Sequence, residues 1–138
     1  MFKILMFASH VLFIAVSMPV NAGNTSHEII KSSGYLSRMS DEFNKTLPKR
    51  IDKHIELITT MGEYSTYIIF YRTVNITAIE AKDINLIEGI RAPTKEFSCN
   101  NPVFNKLLQA GVLISARYVD RNYKNIGIIN ITKESCSP

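Results

Sequence analysis

The 138-residue chain carries none of the short motifs that announce a reactive centre. G-x-S-x-G is missing, so no nucleophile elbow is indicated; without a P-loop or a G-x-G-x-x-G there is no phosphate cradle or dinucleotide turn. Cysteine is scarce, with two residues and no CxxC spacing, and of three histidines His10 falls in an apolar leader. No H-x-x-x-H or comparable ligand spacing remains, so neither a metal nor another cofactor is expected. Charge of one sign is also lacking. The formal charge of +4 is too mild and too scattered to argue for nucleic acid. Beyond the first 22 residues no long apolar run occurs, so no membrane span is expected there. There is no low-complexity tract, internal domain linker or repeat beyond a pair of hairpin patterns.

What is present begins with an export signal. Lys3 supplies a basic start, Ile4 to Val16 is apolar apart from Ser9 and His10, and Val20-Asn21-Ala22 precedes Gly23 with small or aliphatic residues at −3 and −1. The apolar run is shorter than the roughly 20 residues that span a bilayer, so a signal peptide over 1–22 is expected to be cleaved rather than kept as an anchor. No cysteine follows it, so lipoprotein processing is not indicated. Cleavage would leave 116 residues, enough for one domain, and would lower the formal charge to +3 by removing Lys3. Residues 23–33 are polar and expected to be loose, with 34–138 as a single domain. The expected location is periplasmic or secreted.

Leu36, Met39, Phe43 and Leu47 recur at helical intervals and predict an amphipathic helix ending near Pro48, with Arg38, Asp41, Glu42 and Lys45 on its outer side. Leu47 to Asp52 reads as a turn-like entry to a strand at about His54 to Thr60. Met61-Gly62-Glu63 reads as the reversal and Ser65 to Asn75 as the strongest strand. There Tyr67, Ile69 and Tyr71 face one way and Ile68, Phe70 and Arg72 the other. Thr77 and Glu80 have capping-box spacing, and Ile84, Ile87 and Ile90 offer a buried side for a helix that Pro93 ends at or before Ala92. Thr94 to Ser98 is then a link. Asn101 as N-cap, Pro102 at N1, the stripe Phe104, Leu107, Leu108 and the stop Gly111 define another helix. Val112 to Val119 and Asn125 to Thr132, joined through Asp120-Arg121-Asn122, make a second hairpin. Both faces of its last strand carry isoleucine, which predicts a central or doubly covered position. The expected fold is α+β, an antiparallel sheet of about four strands with N-terminal and inserted helices.

Both cysteines lie downstream of the leader, in a compartment where disulfides persist. Two cysteines allow one intramolecular pairing, Cys99 to Cys136, closing a loop with 36 residues between its ends. Chain entropy gives such a bond about 4 kcal/mol. A metal pair and a reactive thiol are the alternatives, and neither has a supporting neighbour.

The series L-P-x-x-I-D (Leu47 to Asp52), Y-x-x-x-Y (Tyr67 to Tyr71), C-N-N-P-x-x-x-x-L-L-x-x-G-V (Cys99 to Val112) and a terminal hairpin closing on Cys136 is distinctive as a set. It resembles a group of small exported bacterial proteins, mostly uncharacterised, over about Leu47 to Cys136. That resemblance implies a bacterial, periplasmic-type setting and a shared α+β fold. Its motifs are caps, turns and a disulfide, so it carries no catalytic residue to any position.

One surface cluster stands out. Arg117, Tyr118, Asp120, Arg121, Tyr123 and Lys124 gather around the last hairpin turn, and mixed charge with tyrosine is the composition of many protein-contact rims. The plainer alternative is a solvated turn with two half-packed tyrosines. His54 has no serine or cysteine beside it to activate, and Asp41-Glu42 reads as a solvated helix face rather than a carboxylate dyad. The four sequons, at Asn24, Asn44, Asn75 and Asn130, matter only in a eukaryotic secretory pathway. The expected function is a non-catalytic envelope protein binding a protein partner, in an inhibitor, immunity, exclusion or secretion-associated role. The alternative is a small enzyme whose site is assembled only by folding.

Overall fold

The strand with the strongest sequence signal lies at the centre of the sheet. The computed structural model of the chain describes Ile30 and residues 34–138; the expected leader, its cleavage and nearly all of the loose stretch 23–33 fall outside the described residues. Five strands, β1 (Lys49–Arg50), β2 (Ile55–Glu63), β3 (Thr66–Thr73), β4 (Leu113–Val119) and β5 (Asn125–Ile131), are hydrogen-bonded in the order β1-β2-β3-β4-β5. The α+β class holds, and both expected hairpins are present: β2 with β3 and β4 with β5, each antiparallel.

The sheet departs from the expected antiparallel four strands in two ways. The Leu47 to Asp52 segment contributes a short fifth strand, Lys49 and Arg50 pairing with Leu57 and Glu56. The two hairpins join through a parallel pair, β3 with β4, in register from Thr66–Leu113 to Arg72–Val119. Parallel neighbours need a long crossover, and residues between Thr73 and Leu113 supply it as helices. β5, whose two apolar faces suggested a central or doubly covered place, is an edge strand with Ile128 exposed. β2 also runs on through Glu63, so the reversal falls at Tyr64, which has φ +49°.

Four helices complete the described fold: α1 (Tyr35–Asn44), α2 (Ala78–Asp83), α3 (Leu86–Asn100) and α4 (Pro102–Gln109). α1 stops four residues before Pro48 rather than at it. The expected single helix from Thr77 to Ala92 is two. Its capping box forms, Glu80 N–H donating to Thr77 Oγ1 and Thr77 N–H to Glu80 Oε2. The chain then breaks at Asn85, a left-handed residue with φ +52°, which leaves Ile84 exposed instead of buried. α3 runs straight through Pro93 and absorbs the expected link Thr94 to Ser98. A proline inside a helix costs about 3 kcal/mol. Leu86, Ile90 and Ser98 are buried along the same helix, with Ile87 and Cys99 packed against the core, and buried aliphatic side chains of this size contribute roughly 2 kcal/mol each. Packing therefore outweighs the local signal.

α4 follows its sequence closely. Asn101 Oδ1 accepts from the N–H groups of Val103 and Phe104 at 3.0 and 3.1 Å. At the other end Gly111 takes φ +85° while its N–H and that of Val112 return to the carbonyls of Leu108 and Leu107. The disulfide also forms as expected: Cys99, one residue before the end of α3, bonds Cys136 in the 3-10 turn Glu134–Cys136 after β5, with the Cα atoms 5.5 Å apart.

All four helices contribute to one core. Tyr67 and Ile69 of β3, Ile114, Ala116 and Tyr118 of β4, and Ile129 and Ile131 of β5 meet Leu36 and Met39 of α1, Ala81 of α2, Ile90 of α3 and Leu107 and Leu108 of α4. α1 does more than cover. Asn44 Oδ1 accepts from Thr60 N–H at 2.7 Å, Asn44 Nδ2 donates to Thr60 C=O at 2.9 Å, and Ser40 Oγ accepts from Gly62 N–H at 3.2 Å. These side chains satisfy the part of β2 that short β1 does not reach, so the helix closes that edge as a strand would. The approach is close: a Cβ on Gly62 would lie 2.0 Å from the Leu36 carbonyl oxygen.

Candidate protein-contact face

With the described helices on one face, the other face of the sheet is defined by the strand registers. Directly opposed residues in a sheet point the same way, so three rows cross four strands. Met61, Ile68, Ser115 and Asn130 form one; Thr59, Phe70, Arg117 and Ile128 the next; Glu56, Arg72, Val119 and Asn125 the third. Ile68 and Ser115 are buried, while Phe70, Arg117 and Val119 are half-buried. Met61 and Ile128 are 48% and 45% exposed.

Two arginines set the electrostatics of this face. Arg72 bonds the Glu56 carboxylate through Nη2 and through Nε, the latter at 3.0 Å. Its Nη1 donates to Tyr123 Oη at 3.0 Å, and the guanidinium lies 5.2 Å from the Tyr123 ring centroid. The Glu56 contact raises the already high pKa of Arg72, so the group stays charged. Arg117 is different. Its guanidinium lies 5.8 Å from the Phe70 ring centroid, its Nε is buried, and that Nε has no hydrogen-bond partner among the described residues.

The six residues of the last hairpin sort into separate places. Tyr118 is buried on the helix side, its ring stacked 5.0 Å from Tyr71 and its hydroxyl 3.1 Å from Thr94 Oγ1. Burial pushes its phenol up to about 12. Asp120 is only 1% exposed and accepts three backbone N–H groups, from Ala78, Asn122 and Lys124 at 2.9, 2.7 and 2.9 Å. Both serve the fold. Arg121 and Lys124 are exposed on the turn. Tyr123, 61% exposed with φ +63°, and Arg117 belong with the helix-free face. Alternation along β4 separates Arg117 from Tyr118 by inspection; that Arg72, Glu56 and Phe70 share the face with Arg117 follows only from the registers.

No catalytic grouping takes shape around the histidine. His54 is exposed, its ring Nδ1 3.5 Å from Asn75 Nδ2, and Asp52 accepts its backbone N–H rather than addressing the ring. His27 lies outside the described residues. Among the described residues no three His, Cys, Asp or Glu side chains are placed to hold a metal, and no helix is long and apolar enough to cross a membrane.

No family model and no curated protein matches the chain. Its fold, however, is similar to that of solved proteins. One is a Pseudomonas aeruginosa protein described as secreted, at TM-score 0.66 and 15% identity over 83% of this chain and 98% of that one. The pilotin EpsS of the Vibrio vulnificus type 2 secretion system matches at TM-score 0.66 and 12% identity, over 81% of this chain and 96% of its own. The Vibrio cholerae type II secretion system pilotin AspS matches at TM-score 0.61 and 14% identity, over 80% and 94%. At these identities the likeness is one of fold.

Proposed function

We propose that this chain is an exported, non-catalytic bacterial envelope protein that binds a protein subunit of a secretion machine, as a pilotin-type factor. One observation carries the reading. The likeness to two type II secretion pilotins spans 96% and 94% of those chains, so it takes in nearly the whole of each fold rather than a shared fragment. The amino-terminal signal pattern and the Cys99–Cys136 bond support the same setting. The resemblance to small exported proteins over Leu47 to Cys136 agrees with it.

The test is copurification of the tagged, full-length protein from its native envelope in mild detergent, together with secretion assays in a deletion strain. The expected outcome is recovery of a secretion-machine subunit and retention of that machine's cargo in the deletion strain. Recovery of no envelope protein under conditions that preserve weak complexes, with cargo export unchanged, overturns the proposal.

A further inference from the structure

The two edges of the sheet are built differently. At one edge β1 is only Lys49 and Arg50, both exposed and preceded by Pro48. The part of β2 that β1 does not reach is closed by Asn44 and Ser40 of α1. A short strand, charge and proline are the means by which proteins keep an edge from pairing with another chain. β5, at the opposite edge, has none of them. Asn125–Ile131 runs seven residues without a charge or a proline, and four of the seven are isoleucine. Asn125, Ile128 and Asn130 are exposed. Beyond its ladder with β4, the strand makes no backbone hydrogen bond among the described residues. Its outer row of N–H and C=O groups is therefore open to a further strand.

A second β5 meets the requirements of that strand. Ile128 is the midpoint of Asn125–Ile131, so a two-fold axis through it overlaps all seven residues in antiparallel register. Ile128 then faces Ile128 of the copy, Ile126 faces Asn130, and Gly127 faces Ile129. Paired β-branched side chains stabilise a sheet, whereas like charges directly opposed would weaken it. No charge stands within the overlap, and Lys124, just outside it, falls opposite Thr132 rather than another cation. The pairing is isologous, so it closes at two chains. It also covers Ile128, the one large apolar side chain of β5 left exposed, at 45%. We infer that β5 pairs antiparallel with β5 of a second copy, joining two sheets of five strands into one continuous sheet. The inference stands apart from the binding role proposed above. A seven-residue strand pair is about 24 Å long and belongs with the small, reversible interfaces below about 1,200 Å², so the dimer forms and dissociates with concentration.

The test is sedimentation equilibrium of the exported protein over a range of concentrations. The expected mass rises from one chain towards two. Ile128→Glu lowers the association constant at least about tenfold, because two carboxylates meet on the axis. Within one chain that carboxylate faces Arg117 across the β4–β5 ladder, and an unchanged unfolding midpoint shows the variant to be folded. Register is read by oxidation. Opposed residues in an antiparallel pair have Cα atoms about 4.5 or 5.5 Å apart, within the span of a disulfide. Ile128→Cys therefore links two chains, with Cys99–Cys136 intact by peptide mapping. Asn130→Cys alone does not, its copies standing roughly 13 Å apart along the strands, but mixed with Ile126→Cys it does. A mass that stays at one chain up to about 1 mM overturns the inference, as does a dimer that Ile128→Glu leaves unchanged. Slow amide exchange along β5 in the single chain assigns the edge to residues before Ile30, and protection that requires added envelope extract assigns it to another protein; either result overturns it too.

Discussion

The Asp120 carboxylate accepts the N–H of Ala78, forty-two residues earlier in the chain, at 2.9 Å. Its other oxygen takes the N–H groups of Asn122 and Lys124. One side chain thereby holds the tight turn between β4 and β5 and pins it to the first turn of α2. A sequence cluster that looked like surface chemistry is in part an internal clasp.

That clasp makes stability sensitive to acid. Burial works against ionisation of Asp120, but the donors from Lys124, Ala78 and Asn122 outweigh it and hold the carboxyl below its ordinary range. A depressed folded-state pKa gives stability that is present above the unfolded carboxylate range and lost as pH falls through the folded value. The unfolding midpoint is expected to drop as pH falls below about 4, and Asp120→Asn to flatten that acid limb. Asp120→Ala, which strands three backbone donors, is expected to destabilise more than Asp120→Asn at neutral pH, measured by urea denaturation.

Alkali acts through the tyrosines. Burial raises Tyr67 and Tyr118 to about 12 and raises Tyr71 as well. Because these folded-state values lie above the unfolded one, their contribution is complete below about pH 10 and is lost as pH climbs towards 12. Phenolate absorbance of these rings should rise together with loss of circular dichroism, not before it. Tyr118→Phe is expected to weaken the alkaline dependence and, through the lost contact with Thr94, to cost about 1 kcal/mol at neutral pH.

Reduction of Cys99–Cys136 releases a loop of sequence separation 37. The expected loss is about 4 kcal/mol, read as a lower urea midpoint with dithiothreitol than without it. Cys99→Ser with Cys136→Ser should reproduce the loss and be indifferent to the reductant.

The edge of β2 offers a sharper comparison. Asn44→Ala removes three hydrogen bonds to Thr60 and is expected to cost about 2–3 kcal/mol. Gly62→Ala puts a methyl group against the Leu36 backbone and is expected to cost more, by displacing α1. Amide exchange at Thr60 and Gly62 should accelerate in both variants while Ile69 and Ile114 stay protected.

Much of this architecture was legible residue by residue. The Asn101 cap, the Gly111 stop, the Thr77–Glu80 capping box, both hairpins and the single disulfide pairing each depend on groups a few residues apart or on the count of cysteines. The side of the sheet opposite the described helices was legible only in fragments: alternation in β3 separates Phe70 and Arg72 from Tyr71, but nothing local places Arg117 beside Phe70.

Backbone chemistry of short range was therefore written in the amino acids themselves: the caps at Thr77 and Asn101, the glycine stop at Gly111, the turn that follows Asp120. Tertiary packing decided the parallel union of β3 with β4, the passage of α3 through Pro93, the break at Asn85 and the inward turn of Asp120. The reason is one of range. Caps and turns are won by hydrogen bonds within a few residues, whereas strand order, and a helix that continues despite proline, are set by apolar area buried against segments far away in the chain.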